Sequence, residues 1–173
     1  NDGDPDLTIS GDNVSYAGGG IVPETRFYKN QPLGMLELDR TISDPIEDTQ
    51  AGVRRGGLAW GDYDGDGAVD LAVSGRRWDS EPELALYRNR PAGELSLDGN
   101  FKLPVSGRVA GDLAFLDYDN DGDQDLLATG RNFLSQYQAF ILTNEGRDLS
   151  TQPVETQLEG LAGGSAGWAD YNQ

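Results

Sequence analysis

A nine-residue acidic phrase occurs twice in this chain, and its recurrence restricts the fold more than any other feature. "DYDGDGAVD" runs from Asp62 to Asp70 and "DYDNDGDQD" from Asp117 to Asp125. The likeness extends outward, because "WGDYDGDGAVDLAVSGR" from Trp60 aligns without a gap to "FLDYDNDGDQDLLATGR" from Phe115, 55 residues on. Pieces of the same phrase recur near both ends. "NDGDPDLTISG" from Asn1 matches "GDGAVDLAVSG" from Gly65 at an offset of 64, and "WADYNQ" from Trp168 matches "FLDYDN" from Phe115 at an offset of 53. Periods of this length mark arrays of one supersecondary unit in which neighbours complete each other's core. The chain therefore reads as one region of about three repeats, 1–61, 62–116 and 117–169, with 170–173 opening a fourth.

Each repeat reads as four short strands. One apolar stretch enters the acidic loop ("GLAW", "LAFL"), and a second leaves it ("VDLAVSG", "QDLLATG", "PDLTISG"). A third ends in an aromatic or aliphatic run before Asn ("RFYKN", "LALYRN", "AFILTN"), and a fourth follows a Gly-containing turn ("GMLELDR", "GELSLDG"). No segment of helix length keeps a 3.6-residue apolar period. A unit of this size cannot cover both faces of its sheet alone, and radial stacking of such sheets produces a β-propeller. The expected fold is all-β, with blades of four antiparallel strands, about three in this chain, forming part of a larger ring or assembly. Alanines at 59, 72, 85, 114 and 128 suit close stacking of one sheet on the next.

Thirty acidic residues against 13 basic ones, for a net charge of −17, disfavour nucleic acid and anionic membranes and favour cations as partners. With no Cys there is no disulfide or thiolate site, and with no His the usual general base and the commonest transition-metal ligand are missing. A non-enzymatic role is expected. No apolar run approaches the roughly 20 residues that span a bilayer, and the abrupt opening "NDGDPDL" reads as the start of an internal piece.

Four carboxylates in nine residues repel one another, so a folded loop of this kind calls for a cation among them. Ca²⁺ takes 6 to 8 oxygen ligands and accepts a backbone carbonyl, whereas Mg²⁺ demands a stricter octahedron. The expected ligands are the side chains of Asp62, Asp64, Asp66 and Asp70 with the Ala68 carbonyl, and those of Asp117, Asp119, Asp121 and Asp125 with the Asp123 carbonyl. An EF-hand needs Glu at position 12 and flanking helices; here position 12 is Val73 or Ala128, inside an expected strand.

The "WGDYDGDGAVDLAVSG" pattern, with the "LYRN" and "FYKN" strands, resembles the FG-GAP or VCBS repeats of the integrin alpha-chain type β-propeller. The resemblance implies that the loop between the first two strands of each blade binds structural Ca²⁺, and that Tyr63, Tyr118 and Tyr171 fill the aromatic position in it. Two half sites are expected near the ends: Asp2, Asp4 and Asp6, with the Asp4 carbonyl between the two side chains, and Asp170 with Asn172. Halves from successive copies could meet head to tail, giving a ring or a filament.

The loops between second and third strands lie on the opposite face and carry Tyr16, Arg76, Arg77, Trp78, Arg131, Phe133 and Tyr137. Arg and aromatic residues on variable loops are candidates for a protein or glycan ligand. Asn13, in one of these loops, opens an Asn-Val-Ser glycosylation triplet. The functional expectation is a calcium-stabilised extracellular module for adhesion or ligand binding. The alternatives are a structural subunit of a surface filament, or a non-catalytic part of a polysaccharide-acting enzyme.

Overall fold

The computed structural model describes residues 4–14, 21–31, 34–42, 52–77, 82–90, 94–101, 103, 110–146, 148–154, 158–161 and 164–169. Among them are ten strands in three antiparallel sheets, so the all-β expectation holds. The first sheet contains β1 (Leu7–Val14), β2 (Ile21–Gln31) and β3 (Met35–Leu38) in chain order. The second contains β4 (Leu58–Gly61), β5 (Asp70–Arg76), β6 (Pro82–Asn89) and β7 (Leu95–Leu97). The third contains β8 (Leu113–Leu116), β9 (Asp125–Arg131) and β10 (Tyr137–Leu142).

The second sheet is the complete four-stranded unit read from the sequence. In the third, the expected fourth strand is reduced among the described residues to isolated bridges, Gln138 with Glu159, Ile141 with Val154 and Asn144 with Leu149. The segment there, "DLSTQPV", has no alternating apolar run, and Pro153 removes a backbone donor. The strands of the first sheet correspond by sequence to the second, third and fourth of a unit.

Both faces of the second sheet are covered, which follows from the two-residue period of its strands. Leu71 and Val73 of β5, with Tyr87 of β6, pack toward Phe27 of the first sheet and Val53. The alternate residues Ala72, Leu84 and Leu86 pack with Ala59 and Tyr63 against Leu113, Leu126, Ala128, Phe140 and Leu142 of the third sheet. Small residues are placed where sheets approach, as Ala59, Ala72 and Ala128 show. Leu71, Leu86, Leu126 and Leu142 are fully buried, and each contributes about 1.5–3 kcal/mol by leaving water.

Hydroxyls at matched positions tie one sheet to the next. Ser10 Oγ donates to the Val53 carbonyl at 2.8 Å, and Ser74, its counterpart 64 residues on, donates to the Gly111 carbonyl. The edge-on contact of Phe27 and Trp60, with ring centroids 6.1 Å apart, supports the first of these junctions. The two acidic loops join β4 to β5 and β8 to β9 at one end of the antiparallel strands, and the β9–β10 turn lies at the other end.

Candidate metal centres

The β4–β5 and β8–β9 connections are the two acidic loops, and each is shaped by its own carboxylates. Asp70 and Asp125 are the first residues of β5 and β9 and are completely buried. One oxygen of Asp70 accepts the Asn89 N–H at 2.8 Å and the other the Tyr63 N–H at 3.2 Å. Asp125 repeats this with Asn144 at 2.8 Å and Tyr118 at 2.6 Å. Each carboxylate thus fastens the third strand of its unit to the start of the loop.

Across each loop, Asp62 accepts the N–H groups of Asp66 at 3.0 Å and Gly67 at 2.9 Å, as Asp117 does from Asp121 and Gly122, both at 3.1 Å. Gly67 and Gly122 have φ of +90° and +95°, a region closed to most side chains. Gly65 and Asn120 sit at equivalent positions with φ of +65° and +63°, and Asn is the residue that best replaces Gly there.

The result is a cluster in each loop. One oxygen each from Asp62, Asp64 and Asp70 lies within 4.8 Å of the others, and Asp117, Asp119 and Asp125 form the same set. Three hard carboxylate oxygens without nitrogen or sulfur fit a hard cation, so both clusters can hold a metal ion. Of the fourth expected side chains, Asp66 accepts the Ala68 N–H at 2.8 Å and Asp121 the Asp123 N–H at 2.9 Å. These two carboxylates shape the turn and lie outside the triads. The Asp123 side chain receives the Gly146 N–H at 3.0 Å.

The loops differ in what surrounds them. Beside the first, Arg88 of β6 places Nη1 3.3 Å from Asp64 Oδ2, while Nε and Nη2 contact Asp98 Oδ2 at 3.2 and 3.1 Å. Its guanidinium carbon lies 5.4 Å from the ring centroid of Tyr63. Tyr63 is buried, donates its hydroxyl to Asp98 at 2.9 Å and lies parallel to Phe115. Tyr118, the matching residue of the second loop, is 42% exposed. The position matching Arg88 is Thr143.

Charges respond accordingly. Burial pushes the Asp70 carboxyl up to about 6, and the nearby charge of Asp64 adds to this against the opposing hydrogen bond from Asn89. Burial also acts to raise Asp98, but the Asn100 N–H, the Tyr63 hydroxyl and Arg88 outweigh it and hold that carboxyl below the usual range. The Tyr63 phenol is pushed up by burial and by Asp98, so it stays a donor.

Asp98 and Arg88 were missed by the sequence reading, although a signal existed. Asp39 and Asp98 each follow a fourth strand, and Lys29 and Arg88 each precede the Asn of a third. Lys29 Nζ lies 2.7 Å from Asp39, so the pair recurs. Asn144 was also missed as a bridge: its amide donates to the Tyr63 carbonyl at 2.6 Å, joining the third unit to the loop of the second.

Of the expected half sites, Asp6 accepts the Asn30 N–H at 2.9 Å, the contact Asp70 and Asp125 make in the complete loops. Asp4 is exposed. Asp2, Asp170, Tyr171 and Asn172 lie outside the described residues, as do Tyr16 and Trp78.

The other candidates are scattered. Arg76 and Arg131 are not in loops but end β5 and β9, where their backbones bridge to Arg54 and Ala110. Arg77 lies 3.8 Å from Glu83. Phe133 and Tyr137 are 43% and 50% exposed at the β9–β10 turn, and Tyr137 is the first residue of β10. Asn13 lies within β1 opposite Val22, not in a loop, and its amide donates to Glu24 at 2.8 Å. A cleft of about 250 Å³ lies elsewhere, between Leu127, Thr129 and Ala139 of the third sheet and the segment carrying Leu161 and Trp168.

Among the described residues, no helix is long and apolar enough to cross a membrane. No curated protein matches the chain. Residues 62–128, from the first acidic loop through the second and into β9, match the family model for the FG-GAP-like repeat, the family the acidic phrases resemble.

Proposed function

We propose that the chain is a calcium-stabilised extracellular β-propeller repeat module that presents loops for adhesion or ligand binding, without catalysis of its own. The observation that carries this reading is the pair of matched triads, Asp62, Asp64 and Asp70 with Asp117, Asp119 and Asp125. Each triad sits on a loop whose backbone is already held in place by the same carboxylates. Calcium suits it because an all-oxygen, partly exposed set with room for carbonyls and water matches its flexible coordination better than the tight octahedron of Mg²⁺.

Bound calcium would neutralise the clustered charge and pin the first turn of each unit. Asp66, Asp121 and the carbonyls of Ala68 and Asp123 stand close in sequence to complete the shell. Extracellular calcium is abundant enough to fill sites of modest affinity, which supports a location outside the cell. At the opposite end of the strands, the exposed Arg131, Phe133 and Tyr137 offer the side-chain types that anchor protein or glycan ligands.

Calorimetric titration of the metal-free chain is expected to show uptake of two calcium ions, reduced to one by Asp64→Asn or Asp119→Asn. Absence of any uptake at millimolar calcium contradicts the proposal.

One observation favours a second reading, a subunit that stacks head to tail. Register places Leu7, Ile9, Val22 and Leu36 on one outer face of the first sheet, and all four are exposed. Light scattering separates the readings: a monomer with and without calcium excludes the stacking subunit.

A further inference from the structure

The two loops carry the same triad on the same backbone frame, yet their charge balance is unequal. The first, Asp62 to Asp70, has four carboxylates, and the second, Asp117 to Asp125, has five. Only the first has a guanidinium among its neighbours in the described structure. Arg88 reaches Asp64 from β6 through Nη1, and its other contacts are Asp98, on two nitrogens, and Asp148 at 3.6 Å, neither of them a member of the triad. Asp148 is largely exposed, so Asp98 and the Tyr63 ring are the anchors that hold the guanidinium there. Arg88 partly neutralises the first loop from within the protein.

We infer that Arg88 is an internal counter-cation that lowers the affinity of the first loop for a divalent ion, so that the second loop fills at lower calcium. This inference rests on the calcium reading above. A cation in the first triad must share Asp64 with Arg88 and bear the repulsion of a fixed positive charge. The second triad has Thr143 at that position and, among the described residues, no guanidinium paired with its carboxylates. Because Asp98 holds Arg88 by two nitrogens, the guanidinium stays in place when an ion takes Asp64. The penalty therefore persists in the loaded state. The arrangement gives one chain two settings: a second loop occupied at low calcium, and a first loop that responds when calcium rises.

The test is calorimetric titration with calcium chloride. Asp119→Asn is used to disable the second loop and Asp64→Asn to disable the first, each with folding checked by circular dichroism. The first loop, measured in Asp119→Asn, is expected to bind at least about tenfold more weakly than the second, measured in Asp64→Asn, a gap of roughly 1.4 kcal/mol. Adding Arg88→Thr to Asp119→Asn is expected to recover most of that gap. If Arg88→Thr fails to fold, the converse change Thr143→Arg in the Asp64→Asn background is decisive: it is expected to weaken the second loop several-fold. Two sites of equal affinity, insensitive to residues 88 and 143, overturn the inference and leave the calcium reading intact. No uptake by either loop overturns both.

Discussion

The loop from Asp62 to Asp70 and the loop from Asp117 to Asp125 share their backbone hydrogen bonds and differ in their electrostatic surroundings. Buried Asp70 and Asp125 each tie a loop start to the third strand of the unit. Asp62 and Asp117 each hold the middle of the loop. These contacts come from the spacing of acids and glycines alone. The surroundings are set from outside the loop: Arg88, Asp98 and a buried Tyr63 at the first, Thr143 and an exposed Tyr118 at the second. Frame and charge environment therefore vary independently, and substitutions can address them separately.

The largest effect should fall on the shared frame. Asp70→Ala and Asp125→Ala each leave two backbone N–H groups without their acceptor, and losing charge-assisted bonds of this kind costs about 3 kcal/mol or more. Urea unfolding in excess chelator should show similar losses for both; a loss confined to one loop breaks the equivalence of the frames. An intermediate effect is expected at the turn glycines. Gly67→Ala and Gly122→Ala force a side chain into a left-handed backbone and should each cost about 1–2 kcal/mol, while Gly65→Asn, which copies Asn120, should be nearly neutral. A strong penalty at Gly65 would show that the loops follow different paths.

The smallest effect sharpens the difference in surroundings. Asp98 in the folded chain titrates below its unfolded value, so its stabilisation is complete above that value and is lost as pH falls through the folded one. Wild type should exceed Asp98→Asn by about 1 kcal/mol at neutral pH, with the gap steady down to about pH 4, the ordinary Asp value, and closing below it. A gap that widens toward acid contradicts the assigned role of Asp98.

Sequence pattern reached the frame because its determinants are local. Acids at alternate positions, a glycine at the sixth and strand periodicity on either side are all read within about 20 residues. Small residues such as Ala72 and Ala128 announced the sheet contacts for the same reason. What escaped was non-local. Arg88 meets Asp64 from 24 residues away and Asn144 meets Tyr63 from 81, so each contact depends on how sheets stack. Arg76 and Arg131 were misplaced into loops because β5 and β9 run through the glycine that seemed to end them. Asn13 was likewise placed in a loop although β1 extends through it. Among the described residues, the third sheet has only isolated bridges in place of a fourth strand, where Pro153 and the polar segment before it interrupt the strand pattern that the other units carry.

On the calcium reading, the acidic loops are metal sites that hold the repeat together. Thermal unfolding of the chain in saturating calcium and in excess chelator tests it most directly. Calcium at about 100 times the dissociation constant should add roughly 2.7 kcal/mol per site, a clear rise in Tm that vanishes in the double variant Asp64→Asn with Asp119→Asn. Superimposable curves in calcium and chelator would contradict the claim and reduce both loops to acidic turns.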